Sequence, residues 1–268
     1  DVTNPLGTFL RARRALVDPA DVGLPAGAGR RVAGLRREEV ATLAGISPDY
    51  YLRLERGRDR HPSAQVLEAL GRVLRLDDPE VAYLAALAAD APRRRHPAPA
   101  TPPAGALNLL ETIGQPALIE DRYFDIVAAN DAARTLSADL APGGNRMRDL
   151  FLRPSVREFY PDWDRVAGCF VASLRHNIGP DVADPRFVEL VGELSGGSAP
   201  FRELWARHQV REQEGAVLRM RHPRVGSLSL NGDRLAIGGA EELRLVVFHA
   251  DAGSPDAAKL AALLDTAA

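Results

Sequence analysis

The chain has 268 residues, of which 46% are hydrophobic and 26% are charged, and its formal net charge at pH 7 is −2. This length is typical of two domains, and the composition excludes a disordered chain because it supplies enough apolar side chains for a sizeable core. No apolar run approaches the roughly 18–20 residues of a membrane helix, and the single cysteine, Cys169, has no partner for an internal disulfide. We therefore expect a cytoplasmic protein without a signal peptide.

The first 90 residues show the apolar periodicity of short helices. The pattern predicts five of them, at 6–17, 36–44, 48–56, 64–76 and 80–89. Two of the predicted helices begin after a serine, Ser47 or Ser63, whose hydroxyl can cap the first turn. Pro48, which follows Ser47, is also favoured at the first helical position. Residues 1–60 carry eleven arginines against eight acidic residues. This local excess of positive charge is expected where one end of a chain meets a polyanion.

The segment 35–57 has the side chains that a helix-turn-helix requires. Gly45 suits the turn between the two helices because glycine accepts a left-handed backbone. The apolar positions that would hold the two helices together are Val40, Ala41, Ala44, Ile46, Tyr51 and Leu54. The outward face at the start of the second helix, where base edges would be reached, carries Pro48, Asp49, Tyr50 and Arg53.

This segment resembles the XRE-type helix-turn-helix. The sequence has Arg37 where that family usually has glutamine, then Gly45-Ile46-Ser47, then Arg53-Leu54-Glu55-Arg56-Gly57 followed by Pro62-Ser63. The resemblance implies double-stranded DNA as a partner, phosphate contacts from Arg37 and Arg58, base contacts from Tyr50 and Arg53, and a structural role for Glu55. The alternative is a helical bundle that packs against protein.

The complete set of predicted DNA-binding residues adds exposed positions around these two helices. It consists of Arg30, Arg31, Arg36, Arg37, Ser47, Pro48, Asp49, Tyr50, Arg53 and Arg58. Arg30 and Arg31 are either wing-like phosphate contacts or solvated loop charges. Because one recognition helix covers too few base pairs for specificity, we expect a homodimer on a pseudo-palindromic site.

A proline-rich stretch divides the chain. Residues 90–105 read DAPRRRHPAPATPPAG, which predicts an extended linker because proline disrupts both helices and ladders. We place a DNA-binding domain at 1–90, the linker at 91–105, a sensor domain at 106–252 and a C-terminal helix or tail at 253–268.

Strands and helices alternate after the linker. Strand patterns lie at 116–119, 123–127, 216–221, 227–231 (with an extension to 237 left open) and 243–249. Asn130 begins a helix, and apolar stripes predict three more, containing Trp163, starting at Asp184-Pro185, and running from Phe201 to His208. The fold class is thus an all-α helix-turn-helix domain followed by an α+β domain with an antiparallel sheet of about five strands.

The order strand, turn, strand, asparagine, helix is how PAS-type domains open. With PDW at 161–163, FRELWARHQV at 201–210 and RHPRVGSLSL at 221–230, the chain resembles MmyB-like regulators. That resemblance implies an XRE-type helix-turn-helix followed by a PAS-like domain that binds an apolar, fatty-acid-like ligand. The family usually continues with an aromatic-containing strand where this chain has Asn231-Gly232-Asp233.

We expect the ligand in a slot between the sheet and the helices. The predicted lining is Leu118, Phe124, Ile126, Phe151, Trp163, Phe170, Leu174, Leu204, Trp205, Leu230, Val246 and Phe248. Candidates to meet a carboxylate are Arg175, His208, Arg221 and His222. In the alternative, these apolar stripes are packed core and the second domain only dimerises or docks a protein.

Enzyme chemistry has little support in the sequence. The six histidines are scattered without metal-ligand spacing, and neither a P-loop nor a nucleophile elbow is present. Cys169 lies in an apolar stripe, which favours packing. We expect no catalysis, no cofactor and no metal.

Overall fold

The computed structural model describes residues 4–25, 32, 34–89, 101–212 and 215–265. Its first part is helical and contains α1 (Pro5–Leu16), a short 3-10 helix (Pro19–Val22), α2 (Arg37–Ala44), α3 (Pro48–Glu55), α4 (Ala64–Val73) and α5 (Asp78–Ala88). Within the described ranges, every helix is too short or too polar to cross a membrane.

The second part contains five strands and eight helices within the described residues. In chain order they are α6 (Ala104–Thr112), β1 (Ala117–Asp121), β2 (Ile126–Ala129), α7 (Asp131–Leu136), α8 (Arg146–Leu152), α9 (Pro154–Phe159), α10 (Trp163–Ile178), α11 (Pro185–Gly197), α12 (Ala199–Ala206), β3 (Gly215–His222), β4 (Gly226–Ala236), β5 (Leu243–His249) and α13 (Pro255–Asp265).

The predicted helix caps are confirmed, and two helix limits differ for physical reasons. Ser47 Oγ accepts a hydrogen bond from the Tyr50 N–H at 3.1 Å, with proline in the first turn. Helix α4 ends at Val73 rather than 76 because Arg75 takes a left-handed φ of 52°. Helix α5 begins at Asp78 rather than 80 because Asp77 accepts the Glu80 N–H while Glu80 accepts the Asp77 N–H.

The strands form one antiparallel sheet in the order β2-β1-β5-β4-β3, which confirms the predicted five-stranded α+β architecture. The first predicted hairpin has a longer turn than expected. Asp121 Oδ1 accepts both the Tyr123 and Asp125 N–H groups, and Phe124 takes a φ of 66°. Strand β2 therefore begins at Ile126, three residues later than predicted. Strand β4 extends to Ala236, close to the extension that the sequence left open.

Three helices were not predicted. Helices α8 and α9 were missed, and α6 begins at Ala104, inside the proposed linker, most of which lies outside the described residues. The buried Leu110 of α6 packs on the back of the sheet against Ala117, Ile119, Leu243 and Leu245.

The front of the sheet faces the other helices. Asn130 caps α7 as predicted, accepting the Ala133 N–H at 2.9 Å, and its amide also donates to backbone carbonyls that precede β1. Helices α10 and α11 bury apolar residues against this face, including Phe170, Leu174 and Leu190. The apolar residues in front of the sheet form one core, separate from the smaller cluster behind it.

Candidate functional site

A single glycine in the left-handed conformation makes the turn between α2 and α3. Gly45 ends α2 with a φ of 69°, and its N–H bonds back to the Thr42 carbonyl. Val40 of α2 and Tyr51 and Leu54 of α3 have no exposed surface and fix the angle between the helices. The outward side of α3 is consequently held rigidly.

The predicted DNA-contacting side chains are accessible wherever the structure describes them. Tyr50 is partly exposed, and the exposed residues are Arg36, Arg37, Ser47, Pro48, Asp49, Arg53 and Arg58. Arg30 and Arg31 lie outside the described residues. The contacts of this set with DNA stay a prediction.

Arg53 is held in place by two neighbours on its own helix. Its Nη1 donates to Asp49 Oδ2 at 2.7 Å, and its guanidinium carbon lies 5.4 Å from the centroid of the Tyr50 ring. The acidic Asp49 is therefore paired with Arg53 on the exposed side of α3.

Glu55 joins three helices from a buried position. Only 2% of the residue is exposed, Arg14 of α1 donates to its Oε1 at 2.7 Å, and Arg37 of α2 donates to its Oε2 at 2.5 Å. Arg14 also donates to the Leu35 carbonyl. The contact with Glu55 uses the Nε of Arg37, and about half of the Arg37 side chain (49%) stays exposed. This arrangement agrees with a structural role for Glu55.

The second domain contains a cavity of about 730 Å³ between the α7–α9 segment and the edge of the sheet. Its inner wall combines buried apolar residues, and the mouth carries polar and charged side chains. Among the lining residues are Leu136, Leu140, Leu150, Val156, Phe159, Tyr160, Phe170, Met220, Phe248, Arg146, His222, Arg134, Glu158, Arg221 and Arg224.

Four of the predicted ligand contacts line this cavity, namely Phe170, Arg221, His222 and Phe248. The other predicted apolar residues pack elsewhere in or against the core, and they are Leu118, Phe124, Ile126, Phe151, Trp163, Leu174, Leu204, Trp205, Leu230 and Val246. The rings of Phe201 and Trp205, for example, stack at 5.7 Å between centroids. For this group the packed-core alternative agrees better with the structure.

His222 forms part of the cavity wall. It is 5% exposed, and its Nδ1 accepts the Arg224 N–H at 3.2 Å. Burial lowers the pKa of His222, and the nearby Arg224 lowers it further, while backbone hydrogen bonds with Leu136 and Thr135 oppose the shift. The ring thereby connects the β3–β4 turn to the end of α7.

Arg175 and His208, the other two predicted anchors, lie away from this cavity, where the two parts of the chain meet. The Arg175 guanidinium carbon is 3.7 Å from the centroid of the Trp205 ring, and its Nη2 donates to the Trp205 carbonyl at 2.9 Å. The His208 ring lies 6.5 Å from that of Phe9 in α1. Burial and the neighbouring Arg175 lower the pKa of His208 to about 3.

Two further residues complete this junction, and the sequence analysis did not single them out. Val210 is 2% exposed and belongs to the apolar core of the helical part. Tyr83 of α5 lies near Arg175, because burial raises the pKa of Tyr83 and the charge of Arg175 opposes that rise. The segment between α12 and β3 thus docks on the face formed by α1 and α5.

A buried ionic cluster beside the cavity was also missed. Glu120 of β1, with no exposed surface, pairs with Arg146 of α8 and with Arg234 of β4, at 2.8 Å in each case. These residues lie far apart in the sequence, so no spacing pattern could reveal them. Among the described residues, no cluster of histidine, cysteine, aspartate or glutamate side chains could hold a metal ion.

Comparisons with known proteins agree with this division of the chain. A family model described as the MmyB-like transcription regulator ligand binding domain matches residues 102–264, and a helix-turn-helix domain model matches residues 5–84. The chain has no match among curated proteins.

Proposed function

Because the chain belongs to the MmyB-like transcription regulators, with a DNA-binding helix-turn-helix and a ligand-binding domain, we propose that its cavity binds an apolar, fatty-acid-like molecule. Occupancy of that cavity changes the affinity for DNA. The observation that carries the proposal is the cavity itself, whose volume of about 730 Å³ falls within the usual range for small-molecule sites.

The composition of the cavity wall supports a ligand with a long apolar part. Phe170, Met220 and Phe248 are at most 3% exposed and line the inner wall. When an apolar ligand contacts these side chains, its surface is removed from water, which contributes about 25 cal/mol of favourable free energy per Å². Exposed Arg221 and Arg224 at the mouth remain solvated, so the site has an apolar interior and a polar entrance.

Docking between the two parts of the chain provides a route for coupling. Phe170 in the cavity wall and Arg175 at the junction both belong to α10. A ligand that shifts α10 would alter the surface on which α1 and α5 rest, and with it the position of α3 in a dimer. We propose a homodimer on DNA, since two copies of α3 set about 34 Å apart read two half-sites.

The alternative is a second domain that only dimerises or docks another protein. That alternative predicts no response to small molecules, whereas a ligand that binds only the folded state raises the unfolding temperature by mass action. The two are separated by stripping the protein of lipid and adding saturated fatty acids of graded chain length.

The experiment measures the melting temperature and the affinity for a selected operator with and without each acid. We expect both to change for the chain lengths that fit, with an effect on DNA binding of about 5–150-fold, the usual scale of allosteric coupling. Met220→Trp fills the cavity and should remove both responses. Val217→Trp, three residues away on the exposed face of β3 and not in the cavity lining, is the control that should keep them. If no acid changes the melting temperature or the affinity for DNA, the alternative is correct and the second domain only dimerises or docks another protein.

A further inference from the structure

The first turn of α1 is fastened to the last turn of α3. Asn4 caps α1 because its Oδ1 accepts the Gly7 N–H at 3.0 Å, and its Nδ2 donates to the Glu55 carbonyl at 2.9 Å. Gly7 is buried beside this contact, and a Cβ at its position would overlap the Glu55 carbonyl oxygen. The backbones of the two helices therefore touch at a point where only glycine fits.

The last turn of α1 is fastened to the same residue of α3. Arg14 Nε donates to Glu55 Oε1 at 2.7 Å. Glu55 thus accepts one hydrogen bond from each end of α1, from Asn4 on its carbonyl and from Arg14 on its carboxylate. The second of these joins two charged groups and belongs to the stronger class of hydrogen bonds. We therefore expect a shift of α1 to carry α3 with it.

Another side of α1 meets the second domain. The Phe9 ring lies 6.5 Å from that of His208, and Val210 joins Phe9 in the apolar core of the helical part. Gly7 and Arg14 are seven residues apart and share one side of α1, whereas Phe9 is turned by about 200° from Gly7 around the helix axis. Helix α1 thus contacts α3 on one side and the second domain on the other.

The other helix at the junction, α5, reaches α3 less directly. Helix α3 packs mainly against α1 and α2, whereas α5 packs mainly against α4 and α1. A change in the way that the second domain docks on α5 must therefore pass through another helix before it reaches α3. A change at α1 acts on α3 directly.

We propose that α1 transmits the docking of the second domain to α3, and that Asn4 and Gly7 are positioning residues for DNA binding that act through Glu55. This inference rests on the proposed function, because it names the route by which an occupied cavity changes the affinity for DNA. A change in docking moves α1 at Phe9, and the contacts with Glu55 carry that movement to α3, the helix that we predict to read bases.

The test uses full-length, lipid-stripped protein and dodecanoic acid. It measures operator affinity with and without the acid, and calorimetry measures binding of the acid itself. The two operator affinities of the wild type should differ by about 5–150-fold. In Asn4→Ser the hydroxyl still accepts the Gly7 N–H, but the amide that reaches Glu55 is lost. The difference should then fall to about twofold or less, below the usual scale of coupling, while the acid binds as in wild type.

Thr8→Ala is the matched control. Thr8 Oγ1 donates to the Asn4 carbonyl at 2.8 Å within α1, so this variant loses a part-buried hydrogen bond of the same turn but none to α3. Both variants should melt at a slightly lower temperature, because each loses one hydrogen bond. Only Asn4→Ser should lose the response to the acid, a difference that a merely structural role of Asn4 would not produce.

Gly7→Ala tests the same contact from the other partner. The added methyl group separates α1 from the Glu55 carbonyl and should also remove the response. If this variant does not fold, Asn4→Ser decides the test.

The outcomes separate this inference from the proposed function. A response that persists in Asn4→Ser would overturn the role of α1 and leave the proposed function intact. Loss of the response in Thr8→Ala as well would assign the effect to a general weakening of α1, which also overturns the inference. If operator binding by the wild type responds to no saturated fatty acid, the proposed function and this inference fail together.

Discussion

Arg53 is the residue that we predict to read a base edge. Asp49 and the Tyr50 ring hold its guanidinium on the exposed side of α3, so less side-chain freedom is lost when DNA binds. Arg53→Ala should therefore weaken binding to a selected operator by about 1–3 kcal/mol and relax the preference at one base pair. Fluorescence anisotropy with the operator and its single-base variants measures both effects.

We expect Arg37→Ala to have a different effect from Arg53→Ala, because we predict that Arg37 contacts phosphate. Half of the Arg37 side chain is exposed at the start of α2. It should weaken operator and random duplexes alike and make the salt dependence shallower by about one unit. Arg14 remains on Glu55, so the domain stays folded. Wild-type affinity for the operator in both variants would contradict this DNA-binding surface.

At the level of single residues, the sequence predicted the helix caps and the turn at Gly45, but not the partners of the buried charged side chains. Ser47, Gly45 and the cap that Asn130 places on α7 act through neighbours a few positions away, which local chemistry determines. The other bonds of Asn130 reach residues at least 13 positions earlier, and the sequence did not predict them. The buried pairs of Glu120 join positions 26 and 114 residues away, and only the folded chain brings them together.

At the level of elements, the end of α4 stores backbone strain. Arg75 takes a φ of 52°, which is unfavourable for a residue with a Cβ, and its side chain donates one exposed hydrogen bond to the Asp21 carbonyl. Arg75→Gly should stabilise the protein by about 0.5–1 kcal/mol in chemical unfolding. Arg75→Ala, which loses the hydrogen bond but keeps the strain, should be no more stable than wild type. If Ala and Gly had equal effects, strain would not be the cause.

The spacing of apolar residues predicted the long helices and the sheet, but it could not locate the cavity. An apolar stripe shows which face of α10 turns inward, but not whether a neighbouring element fills the space beyond it. Trp163 and Trp205 lie against the aromatic rings of Phe151 and Phe201. The open space lies instead beside α8 and α9, two short helices without a long apolar pattern.

At the level of the whole molecule, we expect the stability of the junction between the two parts to depend on pH. His208 has an ordinary pKa of 6.5 that the fold lowers to about 3, mainly through burial and then through Arg175. The docked state therefore binds fewer protons than the undocked chain between these values, so its stability falls as pH falls from about 6.5 towards 3.

Between pH 7 and pH 5 the loss attributable to His208 should reach about 2 kcal/mol. His208→Gln should show a smaller loss, and the difference between the two proteins isolates this residue, because other titrating groups such as His222 are common to both. Thermal unfolding at a series of pH values provides the measurement. Parallel pH profiles for wild type and His208→Gln would show that the junction does not sense protons.

The same junction tests whether docking transmits the ligand signal. Val210 inserts into the apolar core of the helical part and is 2% exposed, whereas its neighbour Gln209 is exposed. Val210→Asp places a charge in that core and should separate the two parts without touching the cavity or α3. Operator binding should then stop responding to fatty acid. Fatty acid should still displace Nile red, a neutral apolar dye, from the cavity as it does in wild type. Gln209→Asp adds the same charge at an exposed position and should keep the coupling of about 1–3 kcal/mol. A response retained in Val210→Asp would mean that the signal passes through the linker or the dimer instead.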